Sequence, residues 1–161
     1  MKTKASFILL IVFLLSVSGQ AQSIKKWKYA DLEQFINQSK TPIVINFWAT
    51  FCKPCVEEIP YFQKLVSQLQ DKKVKLLLAS IDFPEYFPEK IEAFAKKNGF
   101  TAEIVWMDED DPGQFCPKID ANWSGVLPAT LFINKKMNYR SFHSKQLSEV
   151  EMKEELQKLT K

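Results

Sequence analysis

The chain has 161 residues, 46% of them hydrophobic and 25% charged, which suits one globular core and excludes a disordered or fibrous polymer. Its formal charge of +3, with no long run of one sign beyond the N-terminal segment, gives no ground for a nucleic-acid partner.

In chain order, the first segment stands apart from the rest. Lys2 and Lys4 precede an apolar stretch from Ile8 to Val17, and Ser18-Gly19-Gln20-Ala21 supplies small residues where a signal peptidase cuts. This is the layout of a secretory signal peptide over 1–21, with an uncleaved membrane anchor as the alternative. An apolar core of about ten residues is short for a membrane span. Either way the domain, 24–161, is expected outside the cytoplasm.

Helical spacing of Leu32, Phe35 and Ile36 predicts a helix over 31–39. The near-continuous apolar run Ile43–Trp48, with Asn46 inside it, predicts a strand covered on both faces. A helix is predicted over 54–70 from Ile59, Phe62, Leu65, Val66 and Leu69, with a kink at Pro60. A second buried strand covers 74–81, a helix 88–98 closed by Gly99, and a short strand 103–107. After an acidic turn (108–113) come a short helix and loop over 114–123. A strand (130–134), a turn at Lys135-Lys136 and a partner strand (137–143) follow, and a charged amphipathic helix (146–159) closes the chain. Alternating strands and helices followed by a hairpin predict one α/β domain, a mixed sheet flanked by helices on both faces.

The chemistry is concentrated in Trp48-Ala49-Thr50-Phe51-Cys52-Lys53-Pro54-Cys55, where a buried strand hands over to a helix. A cysteine at a helix N-terminus faces unpaired N–H groups and the positive end of the macrodipole, which favour its thiolate. Thiolate is the form that attacks disulfides, and a second cysteine one turn on can resolve the mixed disulfide. Cys52 is therefore the expected nucleophile and Cys55 the resolving thiol. Pro54 fits the first helical turn, where its missing N–H costs little, and Lys53 brings a positive charge beside Cys52. A zinc half-site lacks further ligands, since there is no second Cys-x-x-Cys and His143 is the only histidine. A purely structural bridge across so short a loop restricts the unfolded chain little. Neither a metal nor an organic cofactor is expected.

A second element, Leu127-Pro128-Ala129-Thr130, places a proline just before a strand, where a functional turn can hold it cis. With both elements in view, the chain resembles the thioredoxin superfamily, whose Trp-x-x-x-Cys-x-x-Cys and Pro-Thr motifs match Trp48–Cys55 and Pro128 with Thr130. Within it the chain is most similar to the exported TlpA/ResA-like disulfide reductases. The matches are the signal segment, Asn46-Phe47-Trp48-Ala49-Thr50, Glu58, Pro60, and an extra helix and strand between the second and third core strands.

The resemblance implies a cis Pro128 beside Cys52 and a Leu127 backbone that pairs with an extended substrate segment. It also implies that Glu58 tunes the dithiol, which is sensible for a carboxylate one turn past Cys55. Phe51 stands where the family often has tryptophan and would form, with Lys53 and Pro54, the rim that meets substrate. The implied partners are disulfide-containing exported proteins and a membrane-bound electron donor that recycles a monomeric, periplasmic reductase. An oxidase or isomerase on the same fold is the first alternative, because direction depends on reduction potential. A copper-binding chaperone using the two thiolates and His143 is a second, and a thiol peroxidase a third, for which only Thr50 of the expected proline-and-threonine pattern is present. Cys116, the odd cysteine, reads as a buried, inert thiol or an extra exchange partner. Trp48 is divided between core and contact roles.

Overall fold

The computed structural model describes residues 23–161; the signal-peptide expectation for 1–21 lies outside the described residues. In order, the elements are β1 (Lys25–Trp27), α1 (Tyr29–Gln38), β2 (Ile43–Trp48), α2 (Lys53–Ser67), β3 (Lys75–Ser80), α3 (Glu89–Lys97), β4 (Glu103–Met107), α4 (Pro112–Ile119), β5 (Ala129–Asn134), β6 (Tyr139–His143) and α5 (Glu149–Thr160). They form one six-stranded sheet in the order β1-β4-β3-β2-β5-β6. β2 runs parallel to β3 and antiparallel to β5, and β1, β4 and β3 are parallel, so the sheet is mixed as expected.

Alternation along β2 divides the core. Ile43, Ile45 and Phe47 join Leu32 of α1 and Phe115 and Ile119 of α4 on one face. On the other, Val44 and Trp48 meet Cys55, Ile59 and Phe62 of α2, Ile91 of α3 and Met152 and Leu156 of α5. All six residues of β2 and of β5 are buried, which is why both read as unbroken apolar runs. Helix α3 and strand β4 form the extra unit, and β4 lies between β3 and β1. Gly99 closes α3 with a φ of +67°, a left-handed conformation that suits glycine.

Several boundaries differ from the sequence reading. β1 was not expected, because Lys25-Lys26-Trp27 carries no alternation and its pairing with β4 is tertiary. α2 passes through Pro60 but stops at Ser67, short of the predicted residue 70. α4 begins earlier than predicted, at Pro112, because Asp111 caps it by accepting from the Gly113 N–H at 2.8 Å. α5 begins later, at Glu149, behind a capping box in which Ser148 and Glu151 bond reciprocally. Residues 144–148 are therefore a loop, and that loop reaches the site. No helix among the described residues is long and apolar enough to cross a membrane.

Candidate active site: a dithiol at the sheet's carboxyl edge

β2 delivers the chain to the carboxyl edge of the parallel strands, where open α/β sheets place their sites. The next residues turn sharply, with the Cys52 N–H bonded to Ala49 O at 3.0 Å, and α2 starts at Lys53. Cys52 is the N-cap. Its Sγ accepts from the Cys55 N–H at 3.3 Å, so a backbone donor of the first turn points at the expected nucleophile. The two sulfurs are bonded to each other, leaving Cys116 as the one free cysteine. Cys52 keeps 8% of its surface exposed while Cys55 keeps none. Cys52 is therefore the less deeply buried of the pair. Pro54 sits in the first turn of α2.

The turn before Cys52 is tied down by a residue the sequence reading did not single out. Buried Asp82, just past β3, accepts from the Thr50 N–H at 3.0 and 3.1 Å and from the Thr50 hydroxyl at 2.6 Å. It also accepts from Ser80 Oγ at 2.8 Å, and its backbone oxygen accepts from Trp106 Nε1 at 2.8 Å. A lone Asp at a strand end carries no sequence signal for this. The partner that makes it informative is Thr50, 32 residues away.

Leu127–Pro128 is a cis peptide, as the resemblance implies, and Pro128 is buried. Leu127 packs against the cluster that contains Cys52 and Cys55 and also against the opposite cluster, so the proline loop adjoins the dithiol. Trp123 anchors this loop by donating Nε1 to Val126 O at 2.9 Å. Around the dithiol the surface is apolar. Phe51 (59% exposed) stacks on Phe83 (57% exposed) with ring centroids 5.4 Å apart, and Val126 on the proline loop is also exposed. Lys53 is solvated and pairs with Glu57 at 3.8 Å, so its field at Cys52 is offset and screened.

Glu58 is fully buried, one turn past Cys55 on α2. Its Oε1 accepts from Asn46 Nδ2 at 2.7 Å and its Oε2 from the Leu147 N–H at 3.0 Å. Burial lifts its pKa from 4.5 to about 7, and the Leu147 and Asn46 hydrogen bonds oppose that rise only in part. Asn46 also donates to Thr130 Oγ1 at 3.0 Å, while its own Oδ1 is buried without a partner. Glu58 is thus a buried, hydrogen-bonded carboxyl and not a solvated helix glutamate.

The remaining expectations resolve simply. Trp48 is core, packed on Phe94 and Phe100. Cys116 is buried, and burial pushes its thiol up to about 11. His143 lies on β6, 3.5 Å from Glu155 and 3.1 Å from Ser141 Oγ. No cluster of three or more His, Cys, Asp or Glu side chains suited to a metal occurs among the described residues.

Residues 15–141 match the AhpC/TSA family, and the chain belongs to that family. Among curated proteins it is similar to the thiol-disulfide oxidoreductase ResA of Geobacillus thermodenitrificans, 29% identical over 117 residues that cover 73% of this chain and 62% of that relative. It is 38% identical to the ResA of Bacillus anthracis over 94 residues, 58% of this chain and 49% of the relative. The chain thus spans about half to three fifths of the length of the curated relatives it matches. Among solved structures, a thioredoxin-related protein from Neisseria meningitidis superposes with a TM-score of 0.64 at 22% identity, covering 77% of this chain and 89% of the other. StoA from Bacillus subtilis gives 0.57 at 24% identity, covering 75% and 86%. The fold is therefore thioredoxin-like.

Proposed function

We propose that this chain is an exported thiol-disulfide oxidoreductase that reduces disulfides of other exported proteins. The observation that carries the reading is the asymmetric dithiol: Cys52 at the helix N-terminus with 8% of its surface exposed, and Cys55 fully buried one turn on. In the reduced protein the Cys52 thiolate attacks a substrate disulfide, and one substrate sulfur leaves as a thiolate and takes up a proton. Cys55, once deprotonated, attacks Cys52 Sγ. The second substrate sulfur is released, and two electrons have passed to the substrate. The dithiol is the whole reagent, so the reading requires no metal or organic cofactor.

Roles follow from position. The Leu127 backbone at the cis-Pro128 turn offers an edge for an extended substrate, and Phe51, with Phe83, Pro54 and the Lys53 stem, forms the rim it crosses. Glu58 exchanges protons with Cys55 from inside the core. The reducing direction is supported by electrostatics. A buried carboxylate beside the dithiol and a Lys53 already paired with Glu57 stabilise thiolate poorly, and a poorly stabilised reduced form lowers the potential. A membrane-bound donor would return the electrons, and the periplasmic side would be the working compartment of a monomer.

The reading is tested by turnover of a disulfide-bonded protein with Cys52→Ser and Cys55→Ser variants. Cys52→Ser abolishes exchange, whereas Cys55→Ser traps a mixed disulfide through Cys52. Trapping through Cys116 instead would overturn the assignment.

A further inference from the structure

We propose that the end of the molecule opposite the dithiol is a docking face for an anionic phospholipid surface. β2, β3 and β4 are parallel and start toward one end of the sheet, and β2 delivers the dithiol at the other. β5 is antiparallel to β2 and finishes at the starting end, where Ile133 pairs with Ile43. The segments that meet there are rich in lysine. Lys40 precedes β2, Lys72, Lys73 and Lys75 lead into β3, and Lys135 and Lys136 follow β5; all six are exposed.

Four of them, Lys40, Lys72, Lys73 and Lys136, line one depression of about 330 Å³. Its single carboxylate is Asp71, 3.7 Å from Lys72. Thr41, on the same wall, has a buried hydroxyl with no hydrogen-bond partner among the described residues. The dithiol end carries more acid, since Asp108, Glu109, Asp110 and Asp111 follow β4 there, with Asp108 paired to Lys26 at 3.6 Å and Lys28 at 3.2 Å. A small net charge therefore conceals a separation of sign that the linear sequence does not display.

Charge complementarity selects a surface that offers many phosphates at once, since each lysine near an anionic bilayer raises affinity by about fivefold. A bilayer approached through this basic end lies a strand length, about 20 Å, from Cys52, and the dithiol faces outward toward substrate. This inference does not depend on the direction of electron flow.

The test is flotation of the full chain with vesicles of phosphatidylcholine alone and of phosphatidylcholine mixed with phosphatidylglycerol. Any apolar contribution of residues 1–22 acts in both, so the difference reports the charge. Binding to the anionic vesicles exceeds binding to the neutral ones by about tenfold or more and collapses at about 0.5 M salt. The combined substitution Lys40→Gln, Lys72→Gln, Lys73→Gln and Lys136→Gln removes most of that excess. A charge-matched control at Lys90, Lys118, Lys145 and Lys153, none of which lines the depression, retains it. Equal binding to both vesicles, or equal loss in variant and control, would overturn the proposal.

Discussion

Asn46 on β2 donates its Nδ2 to Oε1 of Glu58 on α2 at 2.7 Å, and neither side chain has any solvent-exposed surface. A neutral amide thus holds a buried carboxyl that no cation compensates, one turn from Cys55. Burial pushes this carboxyl up to about 7, against the backbone bond from Leu147 and the amide bond from Asn46. The group can therefore exchange a proton within the range where thiols react.

The same shift makes stability depend on pH. Between 4.5 and about 7 the unfolded chain has released the Glu58 proton while the folded chain still holds it, so stability falls as pH rises through that window. The loss amounts to about 3 kcal/mol. Glu58→Gln should flatten this contribution, because Asn46 can turn its unpartnered Oδ1 toward the new amide. Urea midpoints from pH 4.5 to 8 check it; an unchanged pH slope in the variant would contradict the assignment. The variant should also move the pH dependence of Cys55-linked resolution while leaving the attack by Cys52 nearly intact.

Asp82 supplies the second prediction. Asp82→Ala strands the Thr50 N–H and leaves the Thr50 and Ser80 hydroxyls without their acceptor, at a cost of about 3 kcal/mol. Asp82→Asn keeps one acceptor oxygen and should recover roughly half of that. Because Thr50 sets the turn before Cys52, the alkylation rate of reduced Cys52 should change in Asp82→Ala and return toward normal in Asp82→Asn. Chemical denaturation and iodoacetamide kinetics on both variants measure this.

The stacked Phe51–Phe83 pair should matter to large substrates alone. Replacing either ring by serine removes an exposed apolar contact and should lower kcat/KM for a protein disulfide by about tenfold. Exchange with a small aromatic disulfide should stay within about twofold, and stability within about 0.5 kcal/mol. Comparing both substrates with both variants checks it, and equal losses on the two would mean the rings shape the dithiol rather than bind substrate.

How much of this was legible in the sequence depended on distance along the chain. Cys52, Lys53, Pro54 and Cys55 act within one turn of helix, so spacing alone gave their placement. Pro128 could be read because a proline before an apolar strand is locally conspicuous. Glu58 was visible as a helical neighbour of Cys55, but not its burial, which requires Asn46 from β2 and the Leu147 N–H from a loop 89 residues later. That loop was read as helix, although Ser148 and Glu151 carry a capping box that marks the true start. Asp82 and Phe83 escaped notice because their partners Thr50 and Phe51 lie across the sheet edge. The strands β2 and β5 were clear because full burial makes them uniformly apolar, whereas β1 exists through its pairing with β4.

The most direct test of the account is the reduction potential of the Cys52–Cys55 pair, measured by glutathione and dithiothreitol titration with Cys116 replaced by alanine. A buried Glu58 and an already paired Lys53 predict a value near or below that of thioredoxin, about −270 mV. A value near −120 mV, about that of the strong oxidant DsbA, would show a stabilised thiolate and contradict the reductase reading.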